Sequence, residues 1–240
     1  MENVFRSWLA LVLAAVVVLF ACAEVSTAIS VHPVTIVDPA AQVGRQYQVY
    51  VRNALDGDLA VELSLGWGVA KDGGQLHMDW SPEAAATAAA VVNVGRKEVT
   101  VGAQGQTAVT VSLHSLPSEP PGYPVLAVGV RQAGIYGRMA IPILVQARER
   151  QPEFQLQDLV WQEGSLRLSV TNTGDGFGQF RGQALFDDGI GTGLPTQTAL
   201  GYIFPGQTRH WILDAPSTAM YLSVETARKS FGRWKRFDGY

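Results

Sequence analysis

Apolar and polar residues alternate with a period of two along most of this chain. Tyr47, Val49 and Val51 alternate with Gln48, Tyr50 and Arg52, and Leu59, Val61, Leu63 and Leu65 alternate with Ala60, Glu62 and Ser64. Val109, Val111 and Leu113 do the same against Thr110 and Ser112. Successive side chains of a strand point to opposite faces, so each segment predicts a strand with one buried face. Residues 123–130 and 139–145 are apolar at both parities, which predicts strands covered on both sides or used at a contact. Between them, Gln132-Ala133-Gly134 and Gly137 mark a turn. The second half keeps the rhythm. Leu166, Leu168 and Val170 form one strand, Ala184 and Phe186 belong to another, and residues 221–226 to a third. Around residue 211 the inward face is either His210 and Ile212 or Trp211 and Leu213. Short strands at this spacing, with Gly and Pro turns and almost no helical period, predict an all-β chain of immunoglobulin-like β-sandwiches.

A repeat sets the number of sandwiches at two. Val51-Arg52-Asn53-Ala54-Leu55-Asp56-Gly57 and Val170-Thr171-Asn172-Thr173-Gly174-Asp175-Gly176 both read Val-x-Asn-x-x-Asp-Gly. Each is followed by Gly-Gln-Thr, at Gly105-Gln106-Thr107 and Gly206-Gln207-Thr208, and then by a Tyr that opens an apolar run, Tyr123 or Tyr221. A strand running into Asn and Asp-Gly ends in a tight turn, because these residues tolerate the backbone angles a turn needs. The first copy is longer by about eighteen residues, an insertion within residues 66–95. Inside it, Ser81-Pro82-Glu83 before an Ala-rich run predicts either a short capped helix or a loop. The tandem domains are expected at residues 29–147 and 154–240, joined by a charged linker at 148–153 that ends near Pro152.

The first residues form a different kind of segment. Arg6 precedes an apolar run, residues 8–23, that is short for a membrane span and ends in small residues, the layout of a secretory signal peptide. The leader is assigned to residues 1–23, with cleavage between 21 and 28: after Ala21-Cys22-Ala23, or after Ser26-Thr27-Ala28. The alternative is lipidation of Cys22, since Leu19-Phe20-Ala21-Cys22 resembles a bacterial lipobox. Cys22 is the single cysteine, so the exported domains hold no disulfide and rest on their cores. The expected location is the periplasm or extracytoplasmic surface of a bacterium, with membrane contact only through that anchor.

With 47% hydrophobic and 16% charged residues and a net charge of -3, the composition is that of a globular protein and offers no footprint for nucleic acid. His32, His77, His114 and His210 show no metal-ligand spacing, and no nucleophile, phosphate-loop or zinc-protease motif occurs. No metal, cofactor or enzymatic activity is expected. Asp187-Asp188-Gly189 lacks the alternate acids of a calcium loop and reads as a hairpin turn. Near the C-terminus, basic residues interleave with Phe231, Trp234, Phe237 and Tyr240, a pattern read as a final hairpin turning at Ser230-Phe231-Gly232 and closing through residues 233–240. Trp67 and Trp80 flank the insertion and, with Trp234, are the residues a glycan-binding module would use.

The opening strand Ile29-Ser30-Val31-His32-Pro33, the Val51-Arg52-Asn53 strand end, the Pro121-Gly122-Tyr123 start and the strand Met139-Ala140-Ile141-Pro142-Ile143-Leu144-Val145 resemble periplasmic pilus-chaperone-like immunoglobulin domains. They are also similar to the N-terminal domains of WxL-interacting bacterial surface proteins. The resemblance implies an exported protein that binds another envelope or surface-appendage protein by strand addition at a sheet edge, with Met139, Ile141, Ile143 and Val145 on the binding strand. Pro142 fits an edge, because proline donates no ladder hydrogen bond. One departure is plain: residues 29–41 contain no Lys or Arg, whereas those chaperones hold a subunit carboxylate with a basic residue on the first strand. The alternative function is a cell-wall or glycan-binding sandwich.

Overall fold

The computed structural model describes residues 29–71, 73, 75–117, 122–132, 135–162, 164–190, 194–219, 221–226 and 230–235. The leader with Cys22 and the side chain of Trp234 lie outside the described residues. In the first half the elements are β1 (Ile29–His32), β2 (Ile36–Asp38), β3 (Gln46–Asn53), β4 (Leu59–Lys71), β5 (Gln75–Asp79), α1 (Pro82–Val91), β6 (Val92–Asn93), β7 (Glu98–Val101), β8 (Gln106–Leu113), β9 (Gly122–Gln132) and β10 (Ile135–Val145). One sheet has the order β1-β3-β8-β6, and the facing sheet β2-β10-β9-β4-β5 with β7 also on β4. The second half supplies β11 (Phe154–Gln162), β12 (Gly164–Asn172), β13 (Gly178–Asp187), β14 (Gln197–Ile203), β15 (Thr208–Ala215), β16 (Tyr221–Glu225) and β17 (Ser230–Lys235), paired as β11-β12-β15 and β14-β13-β16-β17.

The period-two segments become strands with the faces their sequence implies. Val49 and Val51 on β3, Leu59, Val61 and Leu63 on β4, and Val109, Val111 and Leu113 on β8 fill one core. Leu166, Leu168 and Val170 on β12 fill the other with Phe180 and Phe186 on β13. On β15 it is Leu213 that is buried, while Ile212 is 80% exposed. The insertion folds as the end of β4, β5 and α1. Ser81 caps the helix, its hydroxyl accepting from Ala84 N at 3.2 Å, with Pro82 in the first turn, and the helix buries Ala84, Ala88 and Val91. Its Ala-rich composition favours that conformation, and the Ser81 cap and the burial of Ala84, Ala88 and Val91 stabilise so short a helix.

Two positions expected in turns lie in strand instead, while Ala133 and Gly134, between β9 and β10, lie outside the described residues. Gly137 lies inside β10 opposite Val130, and the Ser230-Phe231-Gly232 segment opens β17, with Phe231 packed on the second core. In both places partners on a neighbouring strand complete the ladder, which outweighs the local turn preference of Gly and Ser.

The repeated motif ends β3 and β12 in matching turns. Asn53 and Asn172 are both fully buried. Asn53 Nδ2 donates to the carbonyls of Gly57, Val101 and Gly102, and its Oδ1 accepts from Leu55 N. Asn172 Nδ2 donates to Gly176 O and Ile203 O, and its Oδ1 accepts from Gly174 N. The second copy also ties down the segment that joins the sandwiches. There Asn172 Oδ1 accepts from Glu153 N, and Asp175 Oδ1 from Gln151 N. A Cβ on Gly174 or Gly176 would collide with the backbone of residues 150–153, so those glycines let the turn seat against the connecting segment.

The sandwiches are also packed on each other. Tyr123, Leu144 and Ala70 of the first meet Phe177 and Phe204 of the second in a small core, with Tyr123 edge-on to Phe177 at 5.6 Å between ring centroids. Buried Gln146 accepts from Phe177 N at 2.7 Å and donates to Phe177 O at 3.3 Å, and Gly73 N donates to Thr208 O. Burial pushes the Tyr123 phenol well above its usual range.

Candidate functional site

The site that these elements build is the outer side of β10. Toward the sheet interior β10 is laddered to β9 from Ile135 to Pro142, and its continuation at Ile143, Leu144 and Val145 pairs with β2 on the other side. β2 has only three residues, so among the described residues no strand lies on the outer side of residues 135–142 of β10. Pro142 sits one residue before the point where β2 begins to pair, at Ile143 opposite Ile36. β1, three residues upstream of β2, is the matching edge of the facing sheet and, among the described strands, pairs with β3 alone. Two unpaired edges therefore flank one seam of the first sandwich, a geometry that accepts an extended chain through main-chain hydrogen bonds.

Side chains along β10 divide cleanly. Met139, Ile141, Ile143 and Val145 face the core; Ile141, Ile143 and Val145 are buried and Met139 is partly so. The alternate residues face outward, where Arg138 Nε donates to Tyr136 Oη at 3.3 Å. The Arg138 guanidinium lies 5.0 Å from the Trp80 ring centroid and 5.8 Å from that of Tyr136, and the Arg131 guanidinium 5.9 Å from Tyr136. Glycines make the cluster fit: a Cβ on Gly129 of β9 would meet Tyr136 Oη, and one on Gly66 of β4 would collide with the Trp80 ring. Trp67 is turned the other way, packed on the first core with its indole against Gly122.

At the junction of the sandwiches, beyond the end of β10, a cleft of ≈ 740 Å³ opens between Val37 and Pro39 on one side and Phe154, Phe180, Arg181 and Phe231 on the other. Beside it Asp38 accepts from Tyr47 Oη at 2.9 Å and pairs with Arg45 at 2.9 Å. Burial, reinforced by Asp38, raises the Tyr47 phenol well above its usual range. Among the described residues, no three His, Cys, Asp or Glu side chains gather to hold a metal. Asp187 Oδ1 and Asp188 Oδ1 accept from Gly189 N and Ile190 N, the bonds of a turn.

Sequence reasoning finds β10 but not its outward row. Tyr136, Arg138 and Arg131 are unremarked polar positions until the sheet register brings them beside Trp80. The alternation of Tyr136 and Arg138 with apolar neighbours, and the glycines at 66 and 129, were the available signals.

Neither a protein-family model nor a curated protein matches the sequence. Solved structures do match in shape. A chain from the chaperone–tip adhesin complex of CFA/I fimbriae biogenesis aligns with a TM-score of 0.51 at 8% identity, covering 88% of this chain and 99% of that one. The fold is that of a pilus chaperone. The class 5 fimbriae chaperone CfaA aligns equally, at a TM-score of 0.51 and 8% identity, over 87% of this chain and 97% of its own. The pilus-chaperone-like fold is thus shared through sandwich architecture and the arrangement of two domains, with almost no shared sequence.

Proposed function

We propose that this protein is an exported, non-enzymatic component of the bacterial envelope that binds a surface or pilus-type polypeptide by accepting its strand along the open edge of β10. The observation that carries this reading is that, among the described residues, no strand pairs with the outer side of residues 135–142. The core-facing side chains of Met139, Ile141, Ile143 and Val145 make the edge rigid and apolar beneath, while the main chain supplies the binding groups. The fold match to a chaperone in complex with a tip adhesin supports an appendage protein as partner. β1 carries no Lys or Arg, so a carboxylate clamp from that strand is no part of the reading. The glycan reading has less support, because Trp67 and Trp80 each already lie against a glycine.

The test uses Ala140→Pro. Alternate residues of a strand direct their N–H groups to the same side, and Pro142, two residues on, already lacks one. The substitution removes a donor from the open side, and the fold is expected to survive it. Affinity capture from the native envelope should return a specific polypeptide with the unaltered protein and roughly tenfold less with A140P. Equal capture by both overturns strand addition. Acidic substitutions at Ile141 or Ile143 would test folding instead, since both are buried.

A further inference from the structure

We infer that the strand accepted by β10 is of alternating chemistry, apolar on the face toward the core and acidic on the face toward Tyr136 and Arg138. This rests on the strand-addition reading and adds the chemistry of the partner. In a ladder, directly opposed side chains on one face stand about 4.5–5.5 Å apart at Cβ, close enough for opposite charges to stabilise and like charges to destabilise the pair. A strand laid against residues 135–142 puts every second side chain beside Tyr136, Arg138 and Ala140, and the others beside Met139 and Ile141 at the seam.

On the outward face the two cations lie on the β9 and β10 side, Arg131 and Arg138, while Glu62 and Glu98 lie farther in on β4 and β7. The Arg138 guanidinium lies near both the Trp80 and Tyr136 rings with its Nε bonded to Tyr136 Oη, and the Arg131 guanidinium lies near the same Tyr136 ring. Among the described residues neither arginine has a carboxylate within ion-pair distance. Glu62 lies on the same face of the sheet, opposite Gly129, but two strands away from Arg138. Aromatic stacking fixes each guanidinium at low entropic cost while its N–H groups stay available. A carboxylate on a strand added beside β10 is the group that completes Arg138, with Arg131 one strand farther in adding to the positive potential.

Three synthetic peptides with the same apolar residues at alternate positions, and Glu, Ser or Lys between them, distinguish the possibilities. Binding is read by fluorescence anisotropy, and its location by hydrogen-exchange protection of the amides of residues 136–141. The Glu peptide should bind roughly three- to tenfold more tightly than the Ser peptide at low salt, with the preference shrinking at high salt. In Arg138→Glu the preference should pass to the Lys peptide. If all three peptides protect the edge with equal affinity, or the Lys peptide is preferred by the unaltered protein, the acidic inference falls and strand addition stands. If none protects the edge, strand addition falls and takes the inference with it.

Discussion

One edge strand of each sandwich, β14 in the second and β10 in the first, is treated in an opposite way. In the second, β14 is an edge strand whose Leu200 and Tyr202 carbonyls accept side-chain bonds from the facing sheet: Trp211 Nε1 donates to Leu200 O at 3.3 Å and Arg209 Nη1 to Tyr202 O at 3.1 Å. Gly201 between them leaves room for the Arg209 guanidinium. In the first, no such donor reaches the outer side of β10 among the described residues, and Arg138 lies against aromatic rings on the sheet face instead. An unpaired edge invites association with another chain, and proteins ordinarily block it. One edge of the second sandwich is capped by two side chains while the β10 edge of the first lacks a described strand over residues 135–142, and this contrast is why the proposed binding role is placed on the first.

The largest expected effect separates the two regions. Phe177→Ala removes the ring at the centre of the junction, where it meets Tyr123, Phe204 and Tyr202, and should cost about 3–4 kcal/mol. Calorimetry should then resolve two transitions where the unaltered protein shows one. A single transition shifted downward would mean that the sandwiches remain coupled through Gln146 and residues 150–153.

Unsealing β14 probes the contrast itself. The double substitution Arg209→Ala with Trp211→Phe keeps a ring against Phe180 but removes both donors, at a cost of about 1–2 kcal/mol. The exposed edge should produce concentration-dependent self-association in sedimentation velocity. A protein that stays monomeric would show that side-chain caps are not what protects this edge.

A smaller effect appears in alkali. Phenols of an unfolded chain lose their protons from about pH 10. Burial holds the Tyr123 and Tyr47 protons in the folded chain to higher pH. The unfolded state then binds fewer protons than the folded one, so the stabilisation is complete below about pH 10 and declines as pH rises past it. Urea midpoints should fall more steeply with pH in the unaltered protein than in Tyr123→Phe. Parallel profiles would remove the buried phenol as the cause.

Much of the fold was legible because alternation is a local property. The parity of Val49, Val51, Leu59, Val61 and Leu63 names the core face with no knowledge of what lies opposite, and Ser81-Pro82 announces a helix start. The Asn of each repeat was legible as a turn for the same reason. β11 was harder to see, because Gln155, Gln157 and Asp158 dilute its pattern, and a register shift between Leu156 and Asp158 breaks the period. The polar row beside β10 was not legible. Trp80 comes from the insertion more than fifty residues before Tyr136, and only the register of β4, β9 and β10 sets Gly66 and Gly129 beneath those rings.

The sequence by itself determined the strand faces, the helix cap, the paired turns and the two-sandwich plan, since each follows from chemistry within a few residues. Tertiary structure alone decided which edge is open. Whether a strand's outer groups find partners depends on where β2 begins to pair, on Arg209 and Trp211 reaching across from another sheet, and on Phe177 locking the sandwiches together. Those are distances between segments far apart in the chain, and no local pattern encodes them.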